Sequence, residues 1–152
     1  MGDGPDLYQC RYATRKQPAQ EPLPKSAFVT STVRVPSPVV ADESCVLPED
    51  LDALEGVVAG INVKLAKCGG IAPAHAMLDE GRRRGFRTFL GCMEETSVGI
   101  AGSAVVASLA DWVDLDGNLL LAADPFEGLV LGPDKRWQLS DGPGLGLVRK
   151  RV

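Results

Sequence analysis

Histidine and aromatic residues are scarce: one His in 152 residues, and Phe, Trp and Tyr together at 5%. The single His75 falls early in a helical stretch and reads as a surface or capping residue, so no Cys-His nucleophile pair is expected. A basic excess is missing too. Lys and Arg number 16 against 20 Asp and Glu, a net charge of −4, which leaves no electrostatic footprint for nucleic acid. No apolar run reaches the roughly 18 to 20 residues of a membrane-spanning helix, and the opening MGDGPDLYQC lacks the apolar middle of a signal peptide. A soluble, cytoplasmic protein is the expectation. The four cysteines, Cys10, Cys45, Cys68 and Cys92, stand 35, 23 and 24 residues apart. With no C-x-x-C pair they suggest neither zinc nor a redox couple, and a cytoplasmic setting argues for free thiols.

Apolar residues, by contrast, make up 45% of the chain against 24% charged, a composition that argues against disorder and for a packed core. Residues 1–36 stand apart, with Pro18, Pro22, Pro24 and Pro36 and no sustained period, and are expected to be irregular. From 37 to about 125, short β-branched runs alternate with helical stretches, the mark of βαβ units and a parallel sheet. Strands are predicted at Val39–Ala41, Ile61–Leu65, Thr88–Leu90 and Trp112–Leu115. The intervening pattern predicts helices from Pro48 to Gly56, from Ala72 to Arg84 with Gly85 as its stop, and from Ser97 to Leu109. The tail, 126–152, is rich in Gly and Pro and reads as turns and short strands.

Polar residues close each predicted strand, at Asp42, Lys64, Cys92-Met93 and Asp114 to Asp116, with steps of 22, 28 and 22 residues. Such a step is about one strand plus one helix and its loops. In parallel α/β folds function gathers at the carboxyl ends of the strands, so four polar strand ends point to one shared mouth. Alternation along a strand sharpens the point. Ile61, Val63 and Leu65 share the face turned to the helices, leaving Asn62 and Lys64 on the other, where a lysine is costly unless paired or functional. Trp112, Asp114 and Asp116 share a face, as do Val40 and Asp42. Carboxylates and a lysine converging on one mouth suit a hard cation and a proton-transfer group; the plainer reading of the same pattern is a strand-end salt bridge.

Two other motifs fail on their spacing. Asp114-Leu-Asp-Gly begins like a calcium loop, but Leu119 and Pro125 stand where Gly and Glu are required. Gly142-Pro-Gly-Leu-Gly has no preceding strand and no following helix, as a dinucleotide fingerprint needs.

The strings Val40-Ala-Asp-Glu-Ser-Cys45, Ile61-Asn-Val-Lys-Leu-Ala-Lys-Cys-Gly-Gly-Ile71, Gly91-Cys-Met-Glu-Glu-Thr96 and Asp114-Leu-Asp-Gly117 together resemble the muconate-lactonizing subgroup of the enolase superfamily, and within it the dipeptide epimerases. The resemblance runs from about Val35 to Leu147. It implies an α/β fold, the C-terminal half of a (β/α) TIM-type barrel of about four βα units, strands five to eight, within 37–125. The tail 126–152 would then join a capping domain, and a remnant of strand four would lie near 18–24. It further implies Mg²⁺ held by Asp42, Lys64 as the acid/base lysine, and Asp114 and Asp116 gripping the α-ammonium of a dipeptide. Glu95 would be a mouth carboxylate, beside Cys92 and Met93.

The reaction implied is proton abstraction α to a carboxylate through an enolate, with return of the proton on the opposite face, which needs two bases. Only one lysine of the pair lies within the matched stretch. The second metal ligand belongs to an E-Q-P motif, and this chain reads Gln20-Glu21-Pro22. The inverted order turns Glu21 to the other strand face, which makes it a weaker ligand candidate than Asp42. The chain by itself is therefore expected to be inactive. Other readings are a cycloisomerase or an o-succinylbenzoate synthase type of lyase, or a non-catalytic half-barrel that forms a homo-oligomer through its open strand edges.

Overall fold

Residues 19–20 and 38–151 are described by the computed structural model. The rest of the expected irregular segment, with Cys10 and Glu21, lies outside them. Five short strands make one parallel sheet: β1 (Ala19–Gln20), β2 (Val39–Ala41), β3 (Gly60–Val63), β4 (Arg87–Leu90) and β5 (Trp112–Val113), in the spatial order β1-β2-β3-β4-β5. Every connection therefore steps one strand in the same direction. Right-handed crossovers then lay all the helices on one face, unlike a doubly wound sheet, whose order reverses midway.

The helices are α1 (Asp50–Leu54), α2 (Leu65–Cys68), α3 (Ile71–Arg83) and α4 (Ser97–Ala104). Leu51 and Leu54 of α1, Ala74, Met77 and Leu78 of α3, and Ile100 and Ala104 of α4 bury themselves with Ala41, Ile61, Val63 and Leu90 of the sheet in one core. Val40, Asn62 and Phe89 are buried too, and alternation puts them on the opposite face. Among the described residues no helix is long and apolar enough to cross a membrane, and Cys45, Cys68 and Cys92 are free thiols.

Several predicted elements end early, the strand expected over Trp112–Leu115 at Val113 among them. The strand expected over Ile61–Leu65 stops at Val63, because the Lys64 carbonyl accepts the N–H groups of Lys67 and Cys68 and starts the one-turn helix α2. That turn closes on Gly69 and Gly70, with φ of 98° and 122°, a left-handed region that glycine enters without steric cost. The helix expected to reach Leu109 ends at Ala104, and a separate 3-10 turn covers Ala107–Leu109.

The tail supplies two small antiparallel pairs, β6 (Phe126–Glu127) with β9 (Val148–Arg149), and β7 (Leu129–Leu131) with β8 (Trp137–Leu139). It is tied back at two points. Trp137, buried in the same core, donates its indole N–H to the Leu115 carbonyl at 2.8 Å. Asp124 Oδ2 accepts the Ser97 N–H at 2.7 Å, capping α4 from across the chain where Thr96 makes no side-chain cap of its own.

Trp137→Phe keeps an aromatic ring but leaves the Leu115 carbonyl without its donor, at a cost of about 1–3 kcal/mol. Urea unfolding is expected to show a lower midpoint with an unchanged slope; an unmoved midpoint would mean the indole bond contributes nothing.

Candidate active site

The parallel register carries each strand end to its place. Val63 stands opposite Leu90, and Leu90 opposite Val113; the ladder runs one residue further, with the Gly91 N–H on the Val63 carbonyl and the Asp114 N–H on the Leu90 carbonyl, both at 2.9 Å. Lys64, Gly91 and Asp114 therefore form one row across the sheet. Ala41 likewise stands opposite Ile61, which sets Asp42 beside Asn62.

Asp42 is the centre of the first cluster, only 2% exposed. Its Oδ2 meets the Lys64 ammonium at 2.9 Å and accepts a hydrogen bond from Asn62 Nδ2 at 3.1 Å, while its Oδ1 meets the Lys67 ammonium at 2.8 Å. Burial pushes the Asp42 carboxyl up, but the hydrogen bonds and charges of Lys67 and Lys64 outweigh it and hold the group below its ordinary value. Asn62 Oδ1 is buried and has no hydrogen-bond partner among the described residues. Gly91 fits against this cluster: a Cβ there would lie 2.7 Å from Asn62 Oδ1 and 3.2 Å from Lys64 Cε.

The second cluster gathers at the end of β5. Burial, and then the negative charge of Asp116, push the Asp114 carboxyl up, and the Lys64 charge draws it partly back, so Lys64 acts on both clusters. Asp114 Oδ1 is buried and has no hydrogen-bond partner among the described residues. Cys92 Sγ accepts the Gly117 N–H at 3.3 Å and donates to Asp116 Oδ1 at 3.9 Å. Burial raises the Cys92 thiol, and the neighbouring Asp116 and Glu95 charges add to that, which leaves it a poor nucleophile. A cavity of about 330 Å³ opens here, lined by Asp114, Leu115, Asp116, Leu131, Lys135 and Trp137 among others.

The strand-end residues thus come together as Asp42 with Lys64, and as Asp114 with Asp116 and Cys92. Met93 is exposed. Glu95 turns back along its own loop, accepting the Met93 N–H at 3.0 Å and lying against Gly99. Lys67 was missed from the sequence because a strand through Leu65 would have carried it elsewhere. Its spacing of three from Lys64 is the signal, but only once a helical turn replaces the strand end.

Of the carboxylates expected to hold magnesium, Asp42 is the one within the described residues. No group of three His, Cys, Asp or Glu able to hold a metal occurs among them, and both Asp42 oxygens are already engaged. A hard divalent cation takes six or more oxygen ligands, so these residues alone do not fit the ion.

The chain matches the family model described as Enolase C-terminal domain-like over residues 17–151. It is 39% identical over 135 residues to the L-Ala-D/L-Glu epimerase of Bacteroides thetaiotaomicron, a match covering 86% of this chain and 34% of that protein. It is 46% identical over 94 residues to the L-Ala-D/L-amino acid epimerase of Flavobacterium johnsoniae, covering 62% of this chain and 28% of that one. The solved dipeptide epimerase of Methylococcus capsulatus complexed with Mg ion superposes with a TM-score of 0.73 at 34% identity, covering 86% of this chain and 41% of that one. The chain thus spans about a third of the length of the curated relatives it matches.

Two substitutions check the geometry. Gly91→Ala drives a methyl into the Asn62 amide and the Lys64 stem, and is expected to cost about 1–3 kcal/mol in urea unfolding. Asp114 holds its proton more tightly folded than unfolded, so its ionised form weakens the fold at neutral pH and the penalty fades as pH falls toward the ordinary value of 3.8. Asp114→Asn is therefore expected to raise the melting temperature near neutral pH, with a gain that shrinks on acidification. A gain that grows on acidification would contradict this placement of Asp114.

Proposed function

Since the chain belongs to the Enolase C-terminal domain-like family, we propose that it is the C-terminal portion of a dipeptide epimerase, with its sheet forming about half of a (β/α) barrel. A complete barrel of this kind takes about 250 residues. β1 and β5 are the end strands of the sheet, where the remaining strands would add. One observation carries the chemical reading: Lys64 and Asp114 stand in one row with only Gly91 between them.

That row suits a zwitterion. Asp114 and Asp116 would hold an α-ammonium group, and the two lysines around the single Asp42 leave that side with an excess positive charge for a carboxylate. A substrate bound so lies between Lys64 and Asp114, over Gly91 and the Asn62 and Lys64 side chains packed against it, with its carbon acid in reach of Lys64. Lys64 would exchange a proton with that carbon on one face, and a second base from outside the described residues would serve the other. The proton leaves, its electron pair delocalises into the carbonyl as an enolate, and a proton returns on the opposite side, so nothing is oxidised or reduced. Magnesium dependence belongs to the proposal for the complete protein. There Asp42 would contribute one ligand, with Lys64 and Asn62 giving up Oδ2, and the other ligands would come from outside the described residues.

The test replaces the matching segment of the Bacteroides epimerase with residues 17–151 of this chain and follows deuterium entry at the α-carbon of L-Ala-L-Glu in D₂O. Deuterium entry with inversion of the centre is expected in the chimera, and loss of the inversion on Lys64→Ala, since the second base alone can exchange one face only. A folded chimera that still inverts the centre after that substitution would remove Lys64 from the chemistry. The 152-residue chain alone is expected to give no exchange above background.

A further inference from the structure

Lys67 has no assigned role, yet it is the most completely bonded cation of the site. Its side chain is 13% exposed. An ammonium has three N–H donors, and three oxygens receive them: Asp42 Oδ1 at 2.8 Å, the Asn62 carbonyl at 3.2 Å, and the Asp42 carbonyl. These acceptors belong to two segments, the end of β2 and the middle of β3, while Lys67 itself rides on α2. One ammonium thus ties together three pieces of the fold, β2, β3 and α2, at the point where the mouth begins.

The consequence falls on Asp42. With Oδ1 and the carbonyl of the same residue both on Lys67, the carboxylate cannot turn about its last bond without breaking a charge-assisted hydrogen bond in a buried place. Oδ2 then has one direction to face, and Asn62 Nδ2 and Lys64 Nζ stand there. Lys64 differs in kind. Among the described residues its ammonium meets Asp42 through Oδ2 alone, without the second and third acceptors that fix Lys67.

We propose that Lys67 is the positioning residue of this site: it locks the Asp42 carboxylate so that Oδ2 is presented to Lys64, and it takes no part in proton transfer. The two lysines three residues apart divide the work, one held and one exchangeable. The value of this division for catalysis rests on reading Lys64 as the proton-transfer residue, but the locked geometry does not.

The experiment reads lysine side-chain ammonium groups by ¹H–¹⁵N correlation NMR on the ¹⁵N-labelled 152-residue chain. A protected ammonium exchanges slowly enough with water to give a cross-peak, and solvated ones do not. One such peak is expected from the folded chain, retained in Lys64→Met and absent in Lys67→Met. In a folded Lys67→Met chain the Lys64 side-chain CH₂ resonances next to nitrogen are also expected to move and broaden, because Asp42 is free to turn; a purely structural role for Lys67 would leave them in place. If Lys67→Met does not fold, the Lys64→Met comparison still decides. A folded chain with no such peak, a peak lost on Lys64→Met, or unmoved Lys64 resonances in folded Lys67→Met would each overturn the proposal. Failure of the chimera to epimerise would sink the functional reading and leave this result standing.

Discussion

Asp42 is a full negative charge with almost no access to water, and the site is organised around the need to compensate it. Taking a carboxylate out of water costs several kcal/mol, and the cost is recovered only when geometry is good and the remaining lone pairs are satisfied. Here two ammonium groups and an amide meet its two oxygens. The partners come from the strand end, the following turn and the adjacent strand, so the compensation holds only if β2, β3 and α2 are packed correctly. The charge is thus a check on the fold as much as a reagent. Removing either lysine would leave a buried group partly uncompensated, which is far more disruptive than breaking a surface ion pair.

The excess of one positive charge around Asp42 is matched by the pair of carboxylates at the end of β5. These are held apart by a strand whose contribution to the row is a glycine. Were β4 to end in any larger residue, Lys64 and Asp114 would be separated by a side chain and the two halves would cease to be one site. The electrostatic coupling of Lys64 to Asp114 is a product of register, since the two residues lie far apart in the chain and are brought together by β3, β4 and β5 pairing side by side.

Much of this was legible beforehand, and the reasons are specific. Strand cores such as Val39–Ala41 and Thr88–Leu90 are short β-branched or apolar runs bounded by polar residues, and alternation along Ile61–Val63 correctly put Asn62 on the face opposite the helices. The family resemblance was carried by strand-end residues, where function concentrates in such folds. What was not legible depended on hydrogen bonds that no local pattern records. The strand through Leu65 was overruled by two backbone bonds to the Lys64 carbonyl, and that change of one turn brought Lys67 into the site. Glu95 has the right type and place for a mouth residue, yet its side chain is claimed by the Met93 N–H of its own loop. The expectations for Glu21 fall outside the described residues.

The cap on α4 carries a consequence for how the chain is made. Helix Ser97–Ala104 takes its capping carboxylate from Asp124, 27 residues further on. During synthesis the helix therefore emerges with the Ser97 N–H left to water, and it acquires its side-chain cap only after β5 and the loop beyond it have left the ribosome. Cys92, by contrast, is held by Gly117 and Asp116, which precede Asp124 in the chain. The start of this helix is thus completed later in the life of the polypeptide than the thiol contact beside it.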